Sequence, residues 1–386
     1  MIYYVAGFLW GCANWAPLLT ETDYYEACIA GSVIIAAALL FSAQSEPDIR
    51  LGDIWWAAPL LILGAAVGVG ASFITASELD PMQIAHEGFL LFGFFALIKL
   101  IRGGRKNVER FVQGMLLVAG GSLLVSLFYG NTPRMEGDSV RLGFEAGWNP
   151  NSLGYVAGTV AVISLSHLLE YPRKAWTDVY YSSLIVLSVV VTMATQSRTS
   201  IGVLLLGLAY LLVRLRGRTK KYLTLCVGLV AMWYFFDDFL VVTRWTTTVG
   251  QETHTTPLAG REQTWSDGLQ LFWERPVIGY GLSSNNPLVH NAYLQIAVNT
   301  GVIGLMCYLP LLAVAALKSF RSRLSAHWMH AILYMGLFQA VAESHLMNCG
   351  IFSGAIFTLC LLQFMAEEVS FSTGSAARMS LCRGAR

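Results

Sequence analysis

The stretch Ile54 to Thr75 reads IWWAAPLLILGAAVGVGASFIT and contains no charged side chain. A helix needs about 20 apolar residues to cross the hydrocarbon core of a bilayer, and this run is long enough to do so. Working outward, Phe111 to Tyr129, Tyr222 to Val242 and Ala292 to Leu317 are also predominantly apolar over about the length of a span, the second with Asp237 and Asp238 near its end. Shorter apolar runs occupy Ile2 to Leu19, Ala27 to Ala43, Ile84 to Ile101, Asn151 to Leu169, Val179 to Thr195, Ser200 to Val213, Trp328 to Ala342 and Cys349 to Ala366. The sequence therefore predicts an all-α, polytopic integral membrane protein with about twelve transmembrane helices.

Composition points the same way. Hydrophobic residues make up 55% of the chain and charged residues 13%, against about 25% charged in an ordinary soluble domain. The formal net charge of +1 argues for neither nucleic acid nor an acidic partner. The seven cysteines contain no Cys-x-x-Cys pair and read as small apolar side chains. Met1 to Trp10 holds no Lys or Arg and no evident cleavage site, so it reads as the start of a first span rather than a removed signal peptide.

Charge in the connecting segments sets an expected orientation, because cytoplasmic loops are enriched in Lys and Arg. Arg102, Arg105, Lys106 and Arg110 share one loop, Arg173 and Lys174 a second, and Arg214, Arg216, Arg218, Lys220 and Lys221 a third. Lys318, Arg321 and Arg323 form a fourth group, and Arg378, Arg383 and Arg386 lie in the tail. These groups alternate correctly if all face the cytoplasm, which puts both termini there. The intervening segments are acidic or mixed, with Glu21, Asp23 and Glu26, then Glu78, Asp80 and Glu87. Two outward segments are long, Gly130 to Pro150 and Thr243 to about His290. Long loops are where function concentrates.

The second of these contains GREQTWSDGLQLFWER, Gly260 to Arg275. Trp265, Leu269 and Phe272 recur at helical spacing, which predicts an amphipathic helix lying on the bundle or at the interface. Pro276 ends it, and Val277 to Gly281, VIGYG, reads as a glycine-hinged turn. Asn286-Pro287 reads as a cap and first turn of the next span, with His290 inside that first turn. A helix N-terminus carries partial positive charge. It welcomes phosphate, and it favours a neutral histidine able to act as a base.

Arg198 interrupts an apolar region, in TQSRTS. A charge at membrane depth is expensive unless paired. Arg141 precedes a span in RLGFEAGWNPNSLG, and Arg261 opens the amphipathic helix. Each arginine alone fits a solvated or snorkelling loop charge. Together, Arg141, Arg198, Arg261 and His290 all fall on the expected outward side. Arginine grips phosphate oxygens in pairs. A set of arginines beside a neutral base suits group transfer from a diphosphate carrier to a hydroxyl.

Three segments resemble the O-antigen ligase and O-antigen polymerase family of bacterial inner-membrane glycosyltransferases. They are RLGFEAGWNPNSLG (Arg141 to Gly154), QSRTS (Gln196 to Ser200), and GREQTWSDGLQLFWERPVIGYG followed by HNAYLQIAVNTGVIGL, within Gly260 to Leu305. The resemblance implies a multi-pass protein of the bacterial cell inner membrane whose donor is an undecaprenyl-diphosphate-linked glycan. It implies inverting transfer at the periplasmic face to a glycolipid or glycan acceptor, with no cofactor and no metal. Carried over by position, Arg198 and Arg261 would hold the diphosphate, Arg141 would support them, and His290 would activate the acceptor hydroxyl. On this reading residues 1–129 are N-terminal transmembrane helices. Residues 130–366 form the ligase-like core with the periplasmic loop 243–290, short for the family, and 367–386 are a cytoplasmic tail.

The sequence is also compatible with other readings. Within the family, the acceptor is lipid A-core for a ligase, a lipid-linked repeat for a polymerase, or a protein. A metal-dependent glycosyltransferase with its base among Glu21, Asp23 and Glu26 is a second class, separable by chelation. A lipid-linked glycan flippase or other transporter is a third. Such proteins carry ionisable groups near mid-membrane, whereas the candidates here gather towards one side. Asp237, Asp238, Glu343 and His345 also fall at outward span ends, the first two as interface charges and the last two as candidates to line the pocket. His327 and His330 have no third ligand nearby in sequence, so a metal site is not expected there.

Overall fold

The computed structural model describes residues 1–13, 22–43, 54, 56–75, 81–129, 150–170, 175–195, 197–214, 261–282, 289–322, 326–344 and 352–366. Among them are twelve α-helices and no strands: α1 (Ile2–Cys12), α2 (Thr22–Ser42), α3 (Ala57–Ile74), α4 (Pro81–Arg102), α5 (Arg105–Tyr129), α6 (Pro150–Glu170), α7 (Ala175–Ala194), α8 (Arg198–Arg214), α9 (Arg261–Glu274), α10 (Ala292–Arg321), α11 (His327–Ala342) and α12 (Phe352–Ala366). Five of these, α3, α5, α6, α7 and α10, are long and apolar enough to cross a membrane. Every expected span except Tyr222 to Val242 coincides at least in part with a helix, and that span lies outside the described residues. The number twelve has a different make-up from the expected one, since it includes the amphipathic α9.

Helices in lipid gain little from apolar burial against one another, so they associate through close packing at small residues. The face between α1 and α5 is built this way. A Cβ on Gly7 would strike the Phe111 carbonyl oxygen, and one on Gly114 would lie 2.7 Å from the Phe8 nitrogen and strike the Tyr4 carbonyl oxygen. The two backbones touch, and the Trp10 and Phe111 rings meet edge to face at 5.7 Å beside them. On α4, Glu87 is not in a loop as its neighbours suggested. It lies within the helix, where its carboxylate accepts a hydrogen bond from the Tyr308 hydroxyl of α10 at 2.9 Å.

The run Ala292 to Leu317 reads as one span, yet α10 is broken. Gly301 adopts φ 63°, ψ −160°, a conformation open to glycine and costly for other residues. A break strands backbone groups that lipid cannot satisfy. The segment after α9 supplies their partners. The N–H groups of Tyr280 and Gly281 donate to the carbonyls of Val298 (2.9 Å) and Asn299 (2.8 Å). In return, Val302 and Ile303 donate to Pro276 (2.8 Å) and Val277 (3.3 Å). The end of α3 closes the knot: Ser72 Oγ accepts from the Leu282 N–H at 2.7 Å, and Thr75 Oγ1 donates to the Tyr280 carbonyl at 3.0 Å. The expected glycine-hinged turn is therefore a plug for a helix break, with Gly279 and Gly281 both at positive φ.

The helix ends sort into two sets. At one end, the His327 N–H of α11 reaches Glu170 of α6 at 3.4 Å, and Lys318 of α10 donates to the Met365 carbonyl of α12 at 2.8 Å. There too the Arg214 guanidinium lies 5.7 Å from the Tyr210 ring, which stacks on His330. The starts of α6, α8, α9 and α10 and the end of α11 meet at the other end.

Candidate active site

Glu343 follows directly on α11 and is 6% exposed. A carboxylate at the negative end of a helix dipole is poorly placed unless cations and donors surround it. Three different segments provide them. The Arg261 guanidinium, from the first residue of α9, donates through Nη2 to Glu343 Oε1 at 2.9 Å and through Nη1 to the Ala342 carbonyl. Arg261 thus pairs with the charge and also satisfies a last-turn carbonyl of α11, as a basic C-terminal cap does. Asn151 Nδ2, from the first turn of α6, donates to the same Oε1 at 2.8 Å. His290 presents Nδ1 to the other oxygen, Oε2, at 3.9 Å.

His290 is held in an unusual backbone conformation. Its φ of 51° is the only positive value outside glycine among the described residues, and such conformations cost about 1–3 kcal/mol and gather at functional sites. The flanking bonds impose it. The Val289 N–H donates to Gln295 Oε1 at 3.0 Å, and Asn291 caps α10 by accepting the Leu294 N–H at 3.0 Å. Gln295 is steadied in turn by Asn299 at 3.1 Å, next to the break in α10. The expected cap at Asn286-Pro287 lies outside the described residues, and the helix starts later than expected. Asn291 is the cap, so His290 precedes the helix instead of sitting in its first turn. The electrostatic argument from the helix terminus alone also lacked Glu343.

The amphipathic helix is present as expected, with a shifted inner face. Gly268 is its buried point, where a Cβ would lie 2.8 Å from the Val289 side chain. Arg261, Trp265 and Phe272 flank it on the half-buried side, while Leu269 and Trp273 are exposed. Helical spacing groups Leu269 with Trp265 and Phe272, whereas the helix packs at Gly268 and leaves Leu269 exposed.

The structure brings Arg261 and His290 together around Glu343. Arg198 is the first residue of α8 and half-buried. Its helix start joins the same network, because Ser200 Oγ donates to the Asn151 carbonyl at 2.9 Å and bonds Ser197 Oγ at 2.9 Å. Arg141, His345, Asp237 and Asp238 lie outside the described residues. Asn151 is a residue to which the sequence assigns no role, and Glu343 is there only a candidate pocket-lining acid with no partner assigned. The available signal was a lone acid closing an apolar helix at its negative end, which demands a cation.

Several polar atoms here lack protein partners among the described residues. Trp265 Nε1, His290 Nδ1 and Ser344 Oγ are buried without a hydrogen bond. Arg261 uses two of its five N–H donors on Ala342 and Glu343. Among the described residues the cluster therefore holds several donors without a protein partner, which suits an oxygen-rich anionic or sugar ligand.

Residues 183–309, about a third of the chain, match the family described as O-antigen ligase. The match takes in Arg198, Arg261 and His290 and supports the resemblance seen in the motifs; Asn151 and Glu343 fall outside it. No curated protein matches the chain.

Proposed function

We propose that this multi-pass membrane protein, related through residues 183–309 to the O-antigen ligases, transfers a glycan from an undecaprenyl-diphosphate carrier to an acceptor hydroxyl at the periplasmic face of the bacterial inner membrane. The observation that carries the reading is the meeting of His290 and Arg261 on Glu343 at one end of the helices. The basic groups near Arg214 and Lys318 lie at the other end, which fits the positive-inside orientation and both termini in the cytoplasm.

The acceptor hydroxyl attacks the anomeric carbon of the donor sugar from the face opposite the diphosphate. The new glycosidic C–O bond forms as the old one breaks, which inverts the configuration. His290 takes the hydroxyl proton, and the bonding pair leaves with the diphosphate. Arg198 and the uncommitted donors of Arg261 offset its charge, with Arg141 in support. Removal of the proton and neutralisation of the leaving group need no metal in this scheme. The acceptor we assign is lipid A-core, the ligase case; a polymerase or a protein glycosyltransferase would use the same chemistry on another hydroxyl. Clustering at one end argues against an alternating-access transporter, which builds its site near mid-membrane.

His290→Ala is expected to lower glycan transfer by at least about 100-fold, the usual worth of a general base, with membrane insertion unchanged. Full transfer by that variant removes His290 from the mechanism. Glycan analysis of a deletion strain assigns the acceptor. Loss of all capped lipopolysaccharide indicates a ligase, and survival of single-repeat capping a polymerase.

A further inference from the structure

We infer that Glu343 is a positioning residue that fixes which nitrogen of His290 carries the proton. The inference rests on the reading of His290 as the base. A neutral imidazole has one N–H and one lone pair, and the base must present the lone pair to the acceptor hydroxyl. Nδ1 faces Glu343 Oε2 at 3.9 Å and has no hydrogen bond to another described residue. A carboxylate oxygen accepts and does not donate when ionised, so it favours hydrogen on Nδ1. That leaves the Nε2 lone pair for the substrate. The separation exceeds a hydrogen bond, and such contacts tighten when substrate closes the site. When Nε2 takes the proton, the resulting imidazolium faces a carboxylate, as in other His–acid pairs.

The two oxygens of Glu343 are not equivalent, and this makes the inference testable. Oε1 accepts from both Asn151 Nδ2 at 2.8 Å and Arg261 Nη2 at 2.9 Å. The guanidinium only donates, and the Asn151 amide nitrogen only donates. In Glu343→Gln the amide oxygen must therefore stay on that side, and its NH2 must turn towards His290. The NH2 then donates to Nδ1, the proton moves to Nε2, and the base is lost although the pocket keeps its shape and its Arg261 anchor.

The test pairs kinetics with 15N spectra of the imidazole in the purified full-length protein in detergent, the His290 signal being identified by its loss in His290→Ala. The wild type is expected to show the Nδ1–H form and Glu343→Gln the Nε2–H form. With the switch, kcat should fall at least about 100-fold, while KM for the lipid-diphosphate donor stays within about twofold, since donor binding does not use this pair. Glu343→Ala, which also frees Arg261, should raise donor KM as well. An Nε2–H form in the wild type overturns the inference without any variant having to fold. So does an unchanged tautomer in Glu343→Gln, or a loss confined to KM. A switched tautomer with full transfer upholds the pairing and instead defeats the assignment of His290 as base.

Discussion

The face between α1 and α5 and the knot around Gly301 both depend on glycine, for opposite reasons. At Gly7 and Gly114 the missing side chain lets two intact helices touch, and every backbone bond stays inside its own helix. At Gly301 the helix itself is interrupted, and Gly279 and Gly281 let a loop come close enough to complete its hydrogen bonds. The first is packing alone. The second exchanges helical bonds for tertiary ones, and the gain is positional: the broken α10 is capped by Asn291, with His290 fixed beside the cap. The comparison teaches that close approach in a membrane stabilises, but a functional end needs backbone whose partners come from elsewhere.

The strongest challenge to this contrast is Gly281→Ala. Its φ of 86° is unfavourable for alanine, and the new Cβ would lie 2.6 Å from Ser72 Cα. Strain and overpacking together should cost about 3 kcal/mol. Thermal unfolding in detergent measures the loss, and transfer per folded molecule should fall too, because the segment carrying His290 shifts. Gly114→Ala should cost about 2 kcal/mol through overpacking, while transfer per folded molecule stays at the wild-type level. Equal loss of specific activity in both variants would erase the distinction between the regions. The smallest effect belongs to Ser72→Ala, which removes the acceptor for the Leu282 N–H. A decrease of about 1 kcal/mol is expected, with faster amide exchange confined to the loop and the break.

Much of the fold was legible because lipid imposes a simple rule: a span is apolar for about 20 residues. Runs such as Phe111 to Tyr129 announce themselves. Glu87 was misjudged as a loop acid because its partner, Tyr308, is 221 residues away. The motifs around Arg198, Arg261 and His290 were found through resemblance and through the cost of charge near lipid. Glu343 reads from sequence as a candidate pocket-lining acid without a partner, since its three partners come from α6, α9 and the residue that precedes the Asn291 cap of α10.

Sequence alone determined that this chain is built of membrane-spanning helices, and it singled out Arg198, Arg261 and His290 as candidates on one side. Hydropathy and charge are local sums, readable without knowing what packs on what. The tertiary structure decided that α10 breaks at Gly301, that Asn291 and not Asn286-Pro287 caps it, and that a buried carboxylate stands between Arg261 and His290. The break and the carboxylate rest on hydrogen bonds between separate segments, whose partners exist only once the helices have packed; the cap is a local bond from the Leu294 N–H to Asn291, chosen where the broken helix begins.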